Sequence, residues 1–142
     1  MLQLLGFLGG IHLAILVALV CQGYPNASIS SLMSIFFECF SCWPWPQPVI
    51  LLDKSIPPFK YPAGRSFMPI MMPCSPFDWC NSNITKSTFG KIKAELQRGH
   101  FMTRVCSVLS HLLSMHGTSG FSSNVLCNIV NMEYCIVSIQ GN

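Results

Sequence analysis

The sequence predicts a small α+β protein of low regularity, and three features lead there. An uncharged apolar run lies near the amino terminus, prolines crowd the middle, and one long amphipathic period precedes two β-branched runs. With 142 residues there is room for one modest core. The changes in texture divide the chain into a signal peptide or membrane anchor at 1–23, a short helical segment at 24–43, a proline-rich irregular region at 44–85, and an amphipathic helix with a C-terminal hairpin at 86–142.

Leu4 to Cys21 reads LLGFLGGIHLAILVALVC, without charge and with His12 as its interior polar group. As a helix it would span about 27 Å, just short of a roughly 30 Å hydrocarbon core. Gly6, Gly9 and Gly10 weaken the first half, which leaves Ile11 to Cys21 as an apolar block of signal-peptide length. Cys21 and Gly23 fit the small-residue spacing of a cleavage site that would make Tyr24 the new amino terminus. No Lys or Arg precedes the block, which departs from the usual basic start of a signal. A retained single-pass anchor and a buried core helix are the alternatives.

Ser28 to Phe40 follows, with Ser30 or Ser31 as its cap and Leu32, Ile35, Phe36 and Cys39 on one face. Nine of the ten prolines then fall between Pro44 and Pro76, so turns and polyproline II should replace regular structure, with one strand at Val49 to Leu52. From Thr88 to His116, Phe89, Ile92, Leu96, Met102, Cys106, Leu109 and Leu113 recur at helical steps, and Ser87 or Thr88 caps the start. Gly99 interrupts the pattern and predicts a bend or break, while Gly117 suits a left-handed C-cap. Val125 to Val130 and Tyr134 to Ile139 then read as a hairpin.

Charge narrows the partners. Only 9% of residues are charged, against about 25% in an ordinary soluble domain. Lys86, Lys91, Lys93, Arg98 and Arg104 face one acid in the same stretch, Glu95, which suits contact of residues 86–106 with an anionic membrane surface. This basic face is small and carries no recognised nucleic-acid module, so nucleic-acid binding is not expected.

Eight cysteines fit an oxidising compartment, and Cys39, Cys42, Cys74, Cys80, Cys106, Cys127 and Cys135 are the disulfide candidates once Cys21 leaves with the leader. That odd remainder admits a disulfide-linked homodimer. Cys39-Phe40-Ser41-Cys42 has redox-dithiol spacing but follows a helix instead of opening one, and the second pair of a four-thiolate zinc site, Cys74 and Cys80, is spaced too widely. Asn26 and Asn83 head N-glycosylation sequons. No metal or other cofactor is expected.

The five acids are scattered and no nucleophile–base arrangement or phosphate-binding glycine loop can be assembled, so the chain is not expected to be an enzyme. The leading expectation is a small secreted or lumenal, disulfide-containing glycoprotein that binds without catalysing. A single-pass or peripheral membrane protein is the second reading. A young or spurious reading frame without selected activity is the third, suggested by local signals that do not agree with one another.

Overall fold

The computed structural model describes residues 6–51, 66–74, 77–80 and 83–115, and the side chains among these as far as Leu112. Among the described residues the fold is mostly helical, with α1 at Gly10–Gly23, α2 at Ile29–Cys42 and α3 at Lys86–Met115. No strand occurs there. Two isolated bridges, Val49 with Ile70 and Met71 with Trp79, stand in place of the strand expected at Val49. The hairpin expected over 125–139, His116 and the Gly117 cap lie outside the described residues.

Helix α1 is apolar nearly all round, which is the pattern of a helix enclosed by protein. His12, Ile15, Leu16 and Val20 are buried. Its 14 residues span about 21 Å, too little for a bilayer core, and among the described residues no helix is long and apolar enough to cross a membrane. Gly6, ahead of the helix, has a packing role: it sits at φ +81°, and a Cβ there would stand 2.5 Å from the carbonyl oxygen of Asn83, ahead of α3. A side chain would push these segments apart.

Ser28, not Ser30 or Ser31, caps α2, its hydroxyl accepting from the Ser31 amide at 3.3 Å. The helix buries Phe36, Phe37 and Phe40. Phe36 meets Phe37 edge-on with centroids 5.3 Å apart and Phe40 at 5.1 Å, the geometry that brings ring edges against ring faces. Beyond the helix, the proline-rich segment is pinned by its tryptophans. Trp45 Nε1 donates to the Phe40 carbonyl at 3.3 Å and Trp43 Nε1 to the Gln47 carbonyl at 2.9 Å, while both rings pack near Phe40. Pro44 and Gln47 close a turn, and Val49 then enters the core.

Helix α3 runs unbroken through Gly99. The expected break is absent because the glycine relieves a collision: a Cβ at Gly99 would run into the ring of Phe37 on α2. Ile92 and Leu96 lie below Gly99 on the same buried face, in one core cluster with Leu16, Phe37 and Val49.

Candidate functional site

The start of α3 is fixed by a reciprocal threonine pair. The Thr85 amide donates to Thr88 Oγ1 at 2.9 Å and the Thr88 amide to Thr85 Oγ1 at 3.2 Å, satisfying two groups that a helix start would otherwise leave exposed. Thr85 is the residue expected to complete the Asn83 sequon. The cap therefore falls a little ahead of Ser87.

From this start, steps of seven, four and seven residues place Lys86, Lys93, Gln97 and Arg104 in one row about 27 Å long. All four are exposed. The row lies roughly 100° around the helix from the face made by Ile92, Leu96, Gly99 and Thr103. Burying that face against α2 thus aims the row outward. On the opposite flank Lys91 is exposed, and Arg98 Nη2 pairs with Glu95 Oε2 at 2.8 Å. This pair is exposed on the Arg side and contributes little to stability.

Between α2 and α3 lies a hydroxyl-lined cleft of about 210 Å³ formed by Ser30, Ser31, Ser34, Thr103, Ser107, Ser110 and Cys106. Several of its hydroxyls are turned to their own helices. Ser34 donates to the Ser30 carbonyl, Thr103 to that of His100 and Ser110 to that of Ser107. A second cleft of about 200 Å³ between α1 and α2 is lined by apolar groups such as Leu13, Val17, Leu32 and Phe36. Neither presents an acid–base pair.

His12 is fully buried in α1, where its Nδ1 accepts the Gly9 amide at 3.0 Å and so the proton sits on Nε2. Nε2 has no hydrogen-bond partner of good geometry. Burial pushes its pKa below the ordinary value, against weaker opposing effects of the Gly9 and Cys80 backbones. The imidazole is neutral at pH 7. His100 is half-buried and His111 exposed, about 16 Å apart along α3.

The cysteines expected to form bridges are distributed unevenly. Cys39, Cys42, Cys74 and Cys80 carry thiols that are not bridged, and so does Cys21. Cys39 and Cys42 lie one turn apart on α2. Burial first, then Cys42 and Glu38, pushes the Cys39 thiol up; burial with a smaller effect of Cys74 does the same to Cys80. A raised thiol pKa lowers the thiolate population needed for redox chemistry. Cys106 is half-buried on α3, and Cys127 and Cys135 lie outside the described residues. Among the described residues no three His, Cys, Asp or Glu side chains converge in a metal-holding group. Asn26 and Asn83 are both exposed.

The protein-family model described as "Poly(A) polymerase central domain" matches residues 2–112. "Nuclear poly(A) polymerase 3" of Arabidopsis thaliana is 52% identical over 99 residues, covering 70% of this chain and 19% of that protein. "Poly(A) polymerase PAPalpha" of Candida albicans is 42% identical over 106 residues, covering 68% of this chain and 19% of its own length. "Poly(A) polymerase" of Dictyostelium discoideum is 36% identical over 109 residues, covering 72% and 14%. The chain thus matches a fifth or less of each of these relatives.

These matches overturn several expectations. The apolar run Leu4 to Cys21 lies inside the matched region and holds a core helix, so its hydropathy reflects burial against α2 and not a signal peptide or anchor. The secreted, lumenal and membrane locations fall with it, as does the glycoprotein reading of Asn26 and Asn83; one relative is named as nuclear. The non-catalytic binding protein and the young reading frame give way to relatives named as polymerases, and the expectation that no enzyme was involved is corrected in the same way. A product named poly(A) also overturns the exclusion of nucleic acid. Contact of residues 86–106 with a membrane surface loses its support, because the stretch lies inside the matched region and its Ile92 and Leu96 are buried in the core. The disulfide-linked homodimer rested on an odd thiol count after leader cleavage, and that cleavage has no support.

The sequence reading names Lys86, Lys93 and Arg104 but assigns them to a membrane surface; what it misses is the row they form with Gln97. The signal was present in the spacing of Lys86, Lys93 and Arg104, but the row could be separated from the other basic residues only once the buried face was known.

Proposed function

Because the chain belongs to the poly(A) polymerase central-domain family, matched from residue 2 to residue 112, we propose that it is the helical central part of a nuclear poly(A) polymerase. In this reading α3 faces the RNA, and its row of Lys86, Lys93 and Arg104 follows the phosphates of the strand receiving adenylate. The observation that carries the reading is that row, outward on a helix whose Ile92 and Leu96 face is anchored in the core.

The physical role follows from the side chains. Lys and Arg on a rigid helix neutralise phosphates without reading bases, displacing counterions from the strand. Gln97 in the middle of the row can donate or accept hydrogen bonds to a phosphate or sugar. Phosphoryl transfer by the two-metal route requires a converging set of carboxylates. Glu38, Asp78 and Glu95 do not converge with other ligands into such a group among the described residues, and no catalytic step is assigned to them. The described residues position the strand; chemistry on it belongs to the polymerase as a whole.

Fluorescence anisotropy with a labelled oligoadenylate tests this. Three phosphate contacts on a single strand give a slope of log affinity on log salt of about −2. Replacing Lys93 and Arg104 together by Ala should bring the slope to roughly −0.7, weakening binding at low salt most. An unchanged slope in that variant, or binding indifferent to salt in the parent chain, refutes the assignment of the row.

A further inference from the structure

Helix α3 is apolar on two opposite sides. One side, from Ile92 to Thr103, is buried on α2. The other consists of Phe101, Val105, Val108 and Leu112, at steps of four, three and four residues, with exposures of 65%, 37%, 58% and 51%. At about 100° per residue this stripe points roughly 180° away from the buried face. A helix with apolar groups on both sides is normally enclosed on both.

We propose that this stripe is a docking surface for the C-terminal segment of the same chain, residues 125–139. Three observations select that occupant. Residues 116–142 follow the helix directly and contain two apolar runs, Val125 to Val130 and Tyr134 to Ile139, with Glu133 as their single charged residue. Such runs associate with an apolar surface when one lies within reach. Reach is ample: the ten residues from Met115 to Val125 extend up to about 33 Å, whereas the stripe from Phe101 to Leu112 is about 16 Å long. The Gly117 to Ser123 stretch, with Gly117 and Gly120, suits a reversal of chain direction. Tethering gives the segment an effective concentration near the millimolar range, which a second copy of the chain does not match at ordinary concentrations.

This surface is separate from the basic row, so the inference does not depend on RNA binding. If the stripe is covered, α3 is held by protein on two sides while its basic flank remains open.

Disulfide trapping in the full 142-residue chain tests the proposal. Val108→Cys places a thiol in the stripe, and Cys127 and Cys135 are native reporters in the segment. Ser107→Cys is the control, one residue away, exposed, and on the side of the hydroxyl cleft. Mild oxidation and peptide mass mapping should give intrachain bridges from residue 108 to Cys127 or Cys135 at a yield independent of protein concentration. That yield should exceed the control's on the order of tenfold, the advantage of a held over a merely tethered segment. Hydrogen exchange supplies the second measurement: amides of 125–139 should be protected, and Val108→Asp should remove that protection without changing helical circular dichroism. Equal trapping by both thiols, interchain bridges that grow with concentration, or unprotected amides in the parent chain would each overturn the proposal.

Discussion

Replacing Gly99 with Ala should destabilise the protein, although the same change in an isolated helix would stabilise it. The propensity gain is about 1 kcal/mol. Against it stands the ring of Phe37, three of whose carbons, including Cγ at 2.9 Å, lie closer to the new methyl than the 3.5–4.0 Å of a relaxed carbon contact. Phe37 is only 2% exposed and is already packed edge-on against Phe36, so its ring cannot swing away without displacing other core groups. Overpacking of this kind costs about 1–3 kcal/mol, so Gly99→Ala should come out neutral to about 2 kcal/mol less stable. Gly90 provides the internal control, since a Cβ there meets nothing within 4 Å on the same helix. Gly90→Ala should therefore gain stability, by up to about 1 kcal/mol. Urea unfolding followed by circular dichroism measures both, and Phe37→Leu in the Gly99→Ala background should recover part of the loss through a non-additive double-mutant cycle. Equal stabilisation by the two alanines would refute the packing account of Gly99.

Two further outcomes follow from the same geometry. Thr85→Ala removes one half of the reciprocal cap and should cost about 0.5–2 kcal/mol, while Thr85→Ser should restore most of it; urea midpoints decide, and a loss of similar size in the serine variant would point to the methyl group instead of the hydroxyl. His12 is buried with its pKa lowered, so between the ordinary value near 6.5 and the lower folded value the unfolded chain binds more protons than the folded one. Stability is then fully present above about pH 6.5 and is lost as pH falls towards the folded pKa. His12→Gln should flatten that part of the stability profile, and an unchanged acid slope would remove His12 as its source.

Parts of the architecture were legible because local chemistry and tertiary packing agreed. The run from Phe89 to Leu96 has helical spacing, and Ile92 and Leu96 are buried on the expected face. Further along, the same period misleads. Leu109 was assigned to the buried side but is 53% exposed, while Thr103 is buried. Gly99 lets α2 approach so closely that the contact line follows Gly99 and Thr103, and polarity alone could not reveal that choice. The proline-rich stretch does lack regular strands where it is described, but the indole hydrogen bonds that hold it to α2 depend on contacts that composition does not encode.

The amino-terminal run is the sharper case, because hydropathy was read correctly and its cause was not. A signal segment and a core helix are both selected for removal from water, and a short run satisfies either. What separates them is whether the flanking residues are built for close protein contact. Gly6, read as a weak point of a leader helix, adopts a left-handed conformation against the Asn83 carbonyl, and the imidazole of His12 bonds the Gly9 amide inside the core. Lipid would reward neither feature. Glycines at a positive φ and a buried, locally bonded histidine therefore weigh towards a protein interior. The same reasoning distinguishes the two glycines of α3, where Gly90 faces open space and Gly99 faces an aromatic ring.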